Sequence, residues 1–274
     1  MPDINAVVLG IDAAWTLSNP SGVALAIRRS GGWQAVAASA SYGEFMSVED
    51  SQDGATARPS GSSASVGDLL AAAERRCGKA VHVIAVDMPL ANTPILARRA
   101  SDNLVSSAYG SRKCSTHTPR RDRPGKISDR MRQQACEHGY PLIVSGKPRR
   151  GLIEVYPHPA LVELTGAPER LPYKVSNIRK YWRELNGVER RVRLFEQWRR
   201  IAQILEHEIS GCEALLTMPA SDAAVWQLKA YEDRLDALVC AVVAARFLEE
   251  RCIPFGDENS AIWIPMPQAR RQGT

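Results

Sequence analysis

The chain has 274 residues, 45% hydrophobic and 24% charged, the ordinary mix of a globular domain. No stretch reaches the ~18 uncharged apolar residues of a membrane helix. The opening MPDINAVVLGID places no basic residue before its apolar run, so no signal peptide is expected either. Six cysteines, at 77, 114, 136, 212, 240 and 252, form no C-x-x-C pair and read as reduced thiols of a cytoplasmic protein. The net charge of +5 conceals a strong polarity. Residues 98–150 carry 13 basic against 4 acidic side chains, residues 170–200 carry 10 against 3, and the remainder is net −11. Basic blocks in an otherwise acidic chain point to a polyanion partner, with solvated helix faces as the plainer reading.

In chain order, the apolar run AVVLGID (6–12) predicts a strand ending in Asp12, and Asn19–Pro20–Ser21–Gly22 a turn. GVALAIR (22–28) and WQAVAASAS (33–41) follow as strands, making an antiparallel meander. Residues 47–67 hold six serines, three glycines and a proline, and read as a flexible loop. A short helix is expected over 68–77. VHVIAVD (81–87) is almost continuously apolar, the mark of a strand buried on both faces, and ends in Asp87 before Met88–Pro89. A meander, a helix and a buried strand together predict a parallel crossover and an α/β fold.

Residues 98–150 read as a basic, partly helical insertion, with helices near 94–107 and 127–138. LIEVY (152–156) predicts a strand stopped by Pro157, and 158–165 a helix capped by Gly166. Over 188–209, Leu194, Trp198, Ile201 and Leu205 recur at helical spacing. Residues 222–250 are helical, in two pieces meeting near Tyr231, with an all-round apolar second half that must be buried. AIWI (261–264) is a last short strand.

Three acidic residues conflict with these surroundings. Asp12 and Asp87 end apolar strands, and Asp236 opens an apolar helical run with Asp233 one turn before it. A lone buried carboxylate costs several kcal/mol without compensation. In open α/β sheets, ligand sites lie beyond the carboxyl ends of the strands, so adjacent parallel strands would aim Asp12 and Asp87 into one crevice. The i,i+3 pair Asp233 and Asp236 would add two more carboxylates from a packed helix. Such a cluster suits Mg²⁺ or Mn²⁺ and phosphodiester hydrolysis. Each acid also has a local alternative. Asp12 can bond the following turn, Asp87 can cap a helix, and Asp233 with Asp236 can form a capping box.

Strand–Asp, two meander strands, helix, strand–Asp and a late D-x-x-D helix is the layout of the RNase H-like superfamily, nearest in motif order to RuvC-type junction resolvases. The strings GIDAAW (10–15), VDMPL (86–90), Arg98 with Asp102, IEVYPHPAL (153–161), YK (173–174), LDALVCA (235–241) and IWIP (262–265) resemble family 429 of the domains of unknown function, whose members are expected to be RNase H-like nucleases. The resemblance covers most of the chain apart from 47–67. It implies a single three-layer domain over 1–274, with a mixed sheet and helices on both faces. It further implies a metal-dependent nuclease acting on DNA or RNA, with Asp12, Asp87 and Asp236 as ligands of Mg²⁺ or Mn²⁺ and Asp233 as a fourth carboxylate. RuvC-type enzymes often carry glutamate on the second acidic strand, where this chain has the shorter Asp87, so Glu154 is a rival or additional ligand. Junction resolvases of that type act as dimers, which extends the expectation to a homodimer.

Around this centre, Arg112, Lys113, Arg120, Arg121 and Arg123 lie in a Pro/Ser/Gly-rich stretch from which long side chains can reach phosphates. Lys174 can hold a phosphate near the acids or sit at the surface, and Arg98 with Asp102 has the spacing of an i,i+4 ion pair. Cys114, His117, Cys136 and His138 depart from the spacing of a standard zinc finger. His158 is a general base beside Glu154 or a packed histidine, and Trp182 and Trp198 read as core. Two other functions share parts of this pattern. A non-catalytic nucleic-acid binder would use the same basic blocks. An actin-like ATPase or sugar kinase would need phosphate turns after Asp12 and Asp87, where the chain has AAWTLSNPSG and MPL.

Overall fold

The computed structural model describes residues 3–47 and 57–267. Seven strands form one mixed sheet in the order β3-β2-β1-β4-β5-β7-β6. β1 (Ala6–Asp12), β2 (Gly22–Arg29) and β3 (Gly32–Ser39) make the expected antiparallel meander. β4 (Val83–Val86) lies parallel to β1, and β5 (Gly151–Val155) parallel to β4. β7 (Ala261–Pro265) extends the parallel part, and β6 (Cys252–Gly256) pairs antiparallel with it at the edge.

The two-residue period of the strands divides the core. Val8, Ala24, Ala26, Val83, Ala85, Ile153 and Val155 face one side, against α5 (Pro157–Thr165), α7 (Gly187–Glu208) and α9 (Val225–Leu248), with the short α6 (Ile178–Tyr181) and α8 (Cys212–Leu215) flanking α7. Val7, Leu9, Ile11, Val23, Leu25, Ile84 and Val86 face the other, against α1 (Tyr42–Met46), α2 (Val66–Cys77) and α4 (Lys126–Glu137). The middles of β1, β2 and β4 therefore have an apolar layer to enter on either face, which is why these strands read as near-continuous hydrophobic runs. The chain is the three-layer α/β structure its sequence predicts.

Several expectations are corrected. The helix expected over 94–107 is α3, Ala100–Tyr109, and α2 starts two residues before the predicted one, with the Ser65 hydroxyl accepting from the Asp68 N–H at 3.1 Å. The helix predicted in two pieces over 222–250 is one continuous element, α9, Val225–Leu248. The charged stretch around Tyr231 lies on the same helix as the apolar run, so Asp233 is in its interior and caps nothing. No helix starts at Asp87. Of the loop predicted over 47–67, residues 48–56 lie outside the described residues; Gly61 packs onto the Leu17–Ser18 backbone, where a Cβ would stand 2.4 Å from the Leu17 carbonyl oxygen. Among the described residues no helix is long and apolar enough to cross a membrane. The apolar end of α9 is instead buried against the sheet.

Two glycines set how close α9 comes. A Cβ on Gly10 would lie 2.2 Å from the Ala237 carbonyl oxygen and 2.4 Å from the Ala241 nitrogen; one on Gly22 would lie 2.1 Å from the Asp233 carbonyl oxygen. The helix backbone therefore rests directly on β1 and β2. That contact brings its acidic turns over the strand end carrying Asp12.

Candidate active site

Asp12 ends β1, paired with Gly22 of β2, and Asp87 follows β4, its N–H donating to the Ile11 carbonyl at 2.8 Å. The two carboxylates thus leave neighbouring parallel strands side by side. α9 supplies a stripe at i, i+3, i+4, i+7 and i+11: Lys229, Glu232, Asp233, Asp236 and Cys240. Glu232 and Asp233 are 2% exposed and Asp236 is wholly buried.

Most of these acids have partners. Asp236 accepts from the Tyr173 hydroxyl at 2.7 Å and from the Lys174 ammonium. Glu232 accepts from the Val175 N–H at 2.6 Å and from Lys229 at 2.9 Å, with Lys174 at 3.5 Å; Asp233 also accepts from Lys229. The Trp198 indole N–H donates to the Tyr173 carbonyl at 2.9 Å, so the core tryptophan anchors the segment that delivers Tyr173 and Lys174. By contrast, no hydrogen bond or ion pair reaches the Asp12 or Asp87 carboxylate among the described residues, and Asp233 Oδ2 is buried without a partner.

The titration behaviour follows from this crowding. Burial, with Asp12, Asp236 and Glu154 nearby, holds Asp87 well above the usual carboxylate range, and Lys174 offsets only part of that. Burial raises Asp236 to about 6 and Asp233 to about 8 against the pull of Lys174 and Lys229 respectively. Glu232 goes the other way: Lys174 and Lys229 overcome its burial and lower its pKa. Burial disfavours the charge on Lys174, but Asp236, Tyr173 and Glu232 outweigh it and hold the ammonium well above its ordinary value.

Glu154 projects from β5 beside this group into a second set of bonds. Arg99 forks onto both its oxygens at 2.5 and 2.7 Å, and the Leu90 N–H donates at 2.7 Å. Arg99 also holds Asp102 at 2.8 and 3.0 Å. The ion pair of Asp102 is therefore with Arg99, not with Arg98 as its spacing predicts. The Arg98 guanidinium bonds the Asp102 carbonyl, Asn103 and Ser106 instead.

The remaining predicted phosphate contacts divide into two groups. Arg112 is taken up by Glu163 at 2.5 Å and the Ala167 and Pro168 carbonyls, and Lys113 by Glu169 at 2.6 Å. Arg120, Arg121 and Arg123 are exposed on a tight turn, with Arg123 lying 6.0 Å from the centre of the Trp15 ring. Cys114 is buried near Val162 and Ile262, whereas His138 ends α4 beside Gly67, so these two of the four Cys/His positions lie apart. Trp182 packs against the core and Trp198 is fully buried, as their spacing predicts.

Two hollows flank the carboxylates. One, of about 920 Å³, opens beside Asp12 and Asp233 and includes Arg58, Trp226 and Lys229. The other, of about 310 Å³, adjoins Asp87 and Glu154 and reaches His158 and Arg170; Lys229 lines both. Lys229, Glu232, Arg99, Tyr173 and Arg170 are the site residues that sequence reasoning missed. The K-x-x-E-D-x-x-D spacing of 229–236 contains the signal for the first two, since it places all four charges on one helix face.

Among the described residues, no three acidic, thiol or imidazole groups stand close enough to hold one metal ion as placed. Lys174 and Lys229 bridge the carboxylates instead. The model of the family described as a protein of unknown function, DUF429, matches residues 10–261, and the chain belongs to that family. No curated protein and no solved structure matches.

Proposed function

We propose that this protein is a divalent-metal-dependent hydrolase of nucleic-acid phosphodiester bonds, with Asp12, Asp87 and Asp236 as the ligands of Mg²⁺ or Mn²⁺. The observation that carries this reading is the pair of partnerless carboxylates at the ends of adjacent parallel strands, under a helix bearing a buried third. Two free carboxylates beside each other repel, and a cation is the economical remedy. The donor set is all carboxylate oxygen, which suits a hard divalent ion. The unpaired Asp233 Oδ2 adds a further oxygen in need of a partner.

When bound, such an ion supplies Lewis acidity and a water of lowered pKa for in-line attack at phosphorus. The chain's own part is to hold the charges in place. Asp12 and Asp87 are fixed by the β1–β4 register, and Asp236 is oriented by the Tyr173 hydroxyl. Lys174 and Lys229 balance the cluster and stand ready to meet phosphate oxygens. The exposed Arg120, Arg121 and Arg123 add salt-dependent attraction for the backbone.

The test is cleavage of labelled single- and double-stranded DNA and RNA in Mg²⁺ or Mn²⁺, alongside calorimetric Mn²⁺ titration. Asp12→Asn and Asp236→Asn are expected to abolish cleavage and weaken Mn²⁺ binding while the circular dichroism spectrum stays unchanged. Undiminished cleavage by both variants, or no Mn²⁺ binding by the wild type, would refute the assignment.

A further inference from the structure

The smaller hollow is lined by a guanidinium with no protein partner and by an imidazole with one unpartnered nitrogen. Arg170 reaches it from the segment before Tyr173, its N–H fixed by the Arg112 carbonyl at 2.9 Å. Its Nε is buried without a partner, and its guanidinium makes no hydrogen bond or ion pair among the described residues. The other cations lining the hollow are spent: Arg99 on Glu154 and Asp102, Lys174 on Asp236 and Glu232, and Lys229 on Glu232 and Asp233. An arginine fork with no protein partner at the wall of a cavity is placed to receive an anion.

His158 lines the same cavity. It is 7% exposed, its Nδ1 has no partner, and its ring is held edge-on by Tyr156 at 5.4 Å and packed against Tyr173 at 5.5 Å. Burial, with Lys174, Arg170 and His117 nearby, keeps it well below the usual histidine range, so it is a neutral group with one N–H to give. The volume of about 310 Å³ lies at the small end of ligand pockets, which run from about 300 Å³ upward. It admits a small ligand or the phosphate group of a larger one.

We infer that this cavity is a phosphate subsite, in which Arg170 and His158 hold the phosphate group of a nucleotide next to Asp87. The inference rests on the phosphodiester reading above and deepens it by giving the substrate's phosphate a place beside Asp87. Arginine suits the task because its planar fork matches two phosphate oxygens at once, and the neutral imidazole donates a third bond without adding charge.

Calorimetry with adenosine 5′-monophosphate in EDTA tests the subsite without any metal. Wild-type protein is expected to bind, with inorganic phosphate competing and adenosine failing to bind. Arg170→Gln should weaken binding at least about tenfold, Arg170→Lys less because it keeps the charge but loses the fork, and His158→Gln by a few-fold. Absence of nucleotide binding by the wild type, or binding by folded Arg170→Gln within twofold of wild type, would overturn the inference. Adenosine binding as tightly as the monophosphate would overturn it too. Arg170-dependent binding in a protein that cleaves nothing would leave the subsite standing and remove the nuclease. Asp12-dependent cleavage without nucleotide binding would do the reverse.

Discussion

Replacing Gly10 by alanine tests whether the site depends on how closely α9 lies on the sheet. The added Cβ would stand 2.2 Å from the Ala237 carbonyl oxygen and 2.4 Å from the Ala241 nitrogen, where ordinary contact begins near 3.4 Å. Both obstacles are main-chain atoms in the middle of a helix, so no side-chain rotation relieves them. The helix and β1 must separate by roughly 1 Å, and overpacking of this kind costs about 1–3 kcal/mol, with the upper end expected here. The same displacement carries Asp233 and Asp236 away from Asp12 and Asp87. A metal site tolerates about 0.5 Å of such error, so Mn²⁺ affinity should fall at least about tenfold. Urea denaturation measures the first effect and Mn²⁺ calorimetry the second. Ala241→Gly should not rescue the variant, because the offending atoms belong to the backbone. A Gly10→Ala protein within about 0.5 kcal/mol of wild type and with unchanged Mn²⁺ affinity would refute the reasoning.

Other consequences are open to measurement. Arg99→Met strands Glu154 and Asp102 without their shared cation, and should cost about 3–5 kcal/mol in chemical denaturation; an undiminished midpoint would count against the pairing. The pH dependence has a definite sign. Asp236 and Asp233 titrate near 6 and 8 in the folded protein, above their unfolded values, so their contribution to stability is present in acid and lost as pH rises through that range. Metal-free protein should therefore melt at a lower temperature at pH 8 than at pH 6, and Asp233→Asn should reduce the difference; a melting temperature rising over that interval would contradict it. Lys113→Ala removes only an exposed pair with Glu169 and should change stability by less than about 1 kcal/mol, measurable against Arg99→Met in the same assay.

The strands were legible because each is a short apolar run bounded by turn residues, and burial on both faces of the sheet explains why those runs barely alternate. β6 escaped notice for the opposite reason. It is an edge strand with Pro254 at its middle and Ile253 41% exposed, so it carries neither a hydrophobic run nor a clean period. α9 looked divided because its charged turns resemble a loop boundary when read alone. Their charges are tolerable inside a helix because Lys229 pairs with Glu232 and Asp233 from one turn away, and Lys174, Tyr173 and the Val175 N–H meet Glu232 and Asp236 from a segment about 60 residues away in sequence.

The same distinction runs through the site. Asp12, Asp87 and Asp236 were legible as polar residues in apolar surroundings, and their order along the chain suited one sheet edge. Local sequence also determined the α/β class, the meander and the buried strand. Which acids are satisfied and which are free was a tertiary decision. It depends on the register of α9 over β1, set by Gly10 and Gly22, and on the loop that swings Tyr173 and Lys174 under the helix. Arg98 and Arg99 show the limit most plainly. They are adjacent and chemically identical, yet one bonds the exposed face of α3 and the other neutralises two buried acids, because their side chains leave the backbone in different directions.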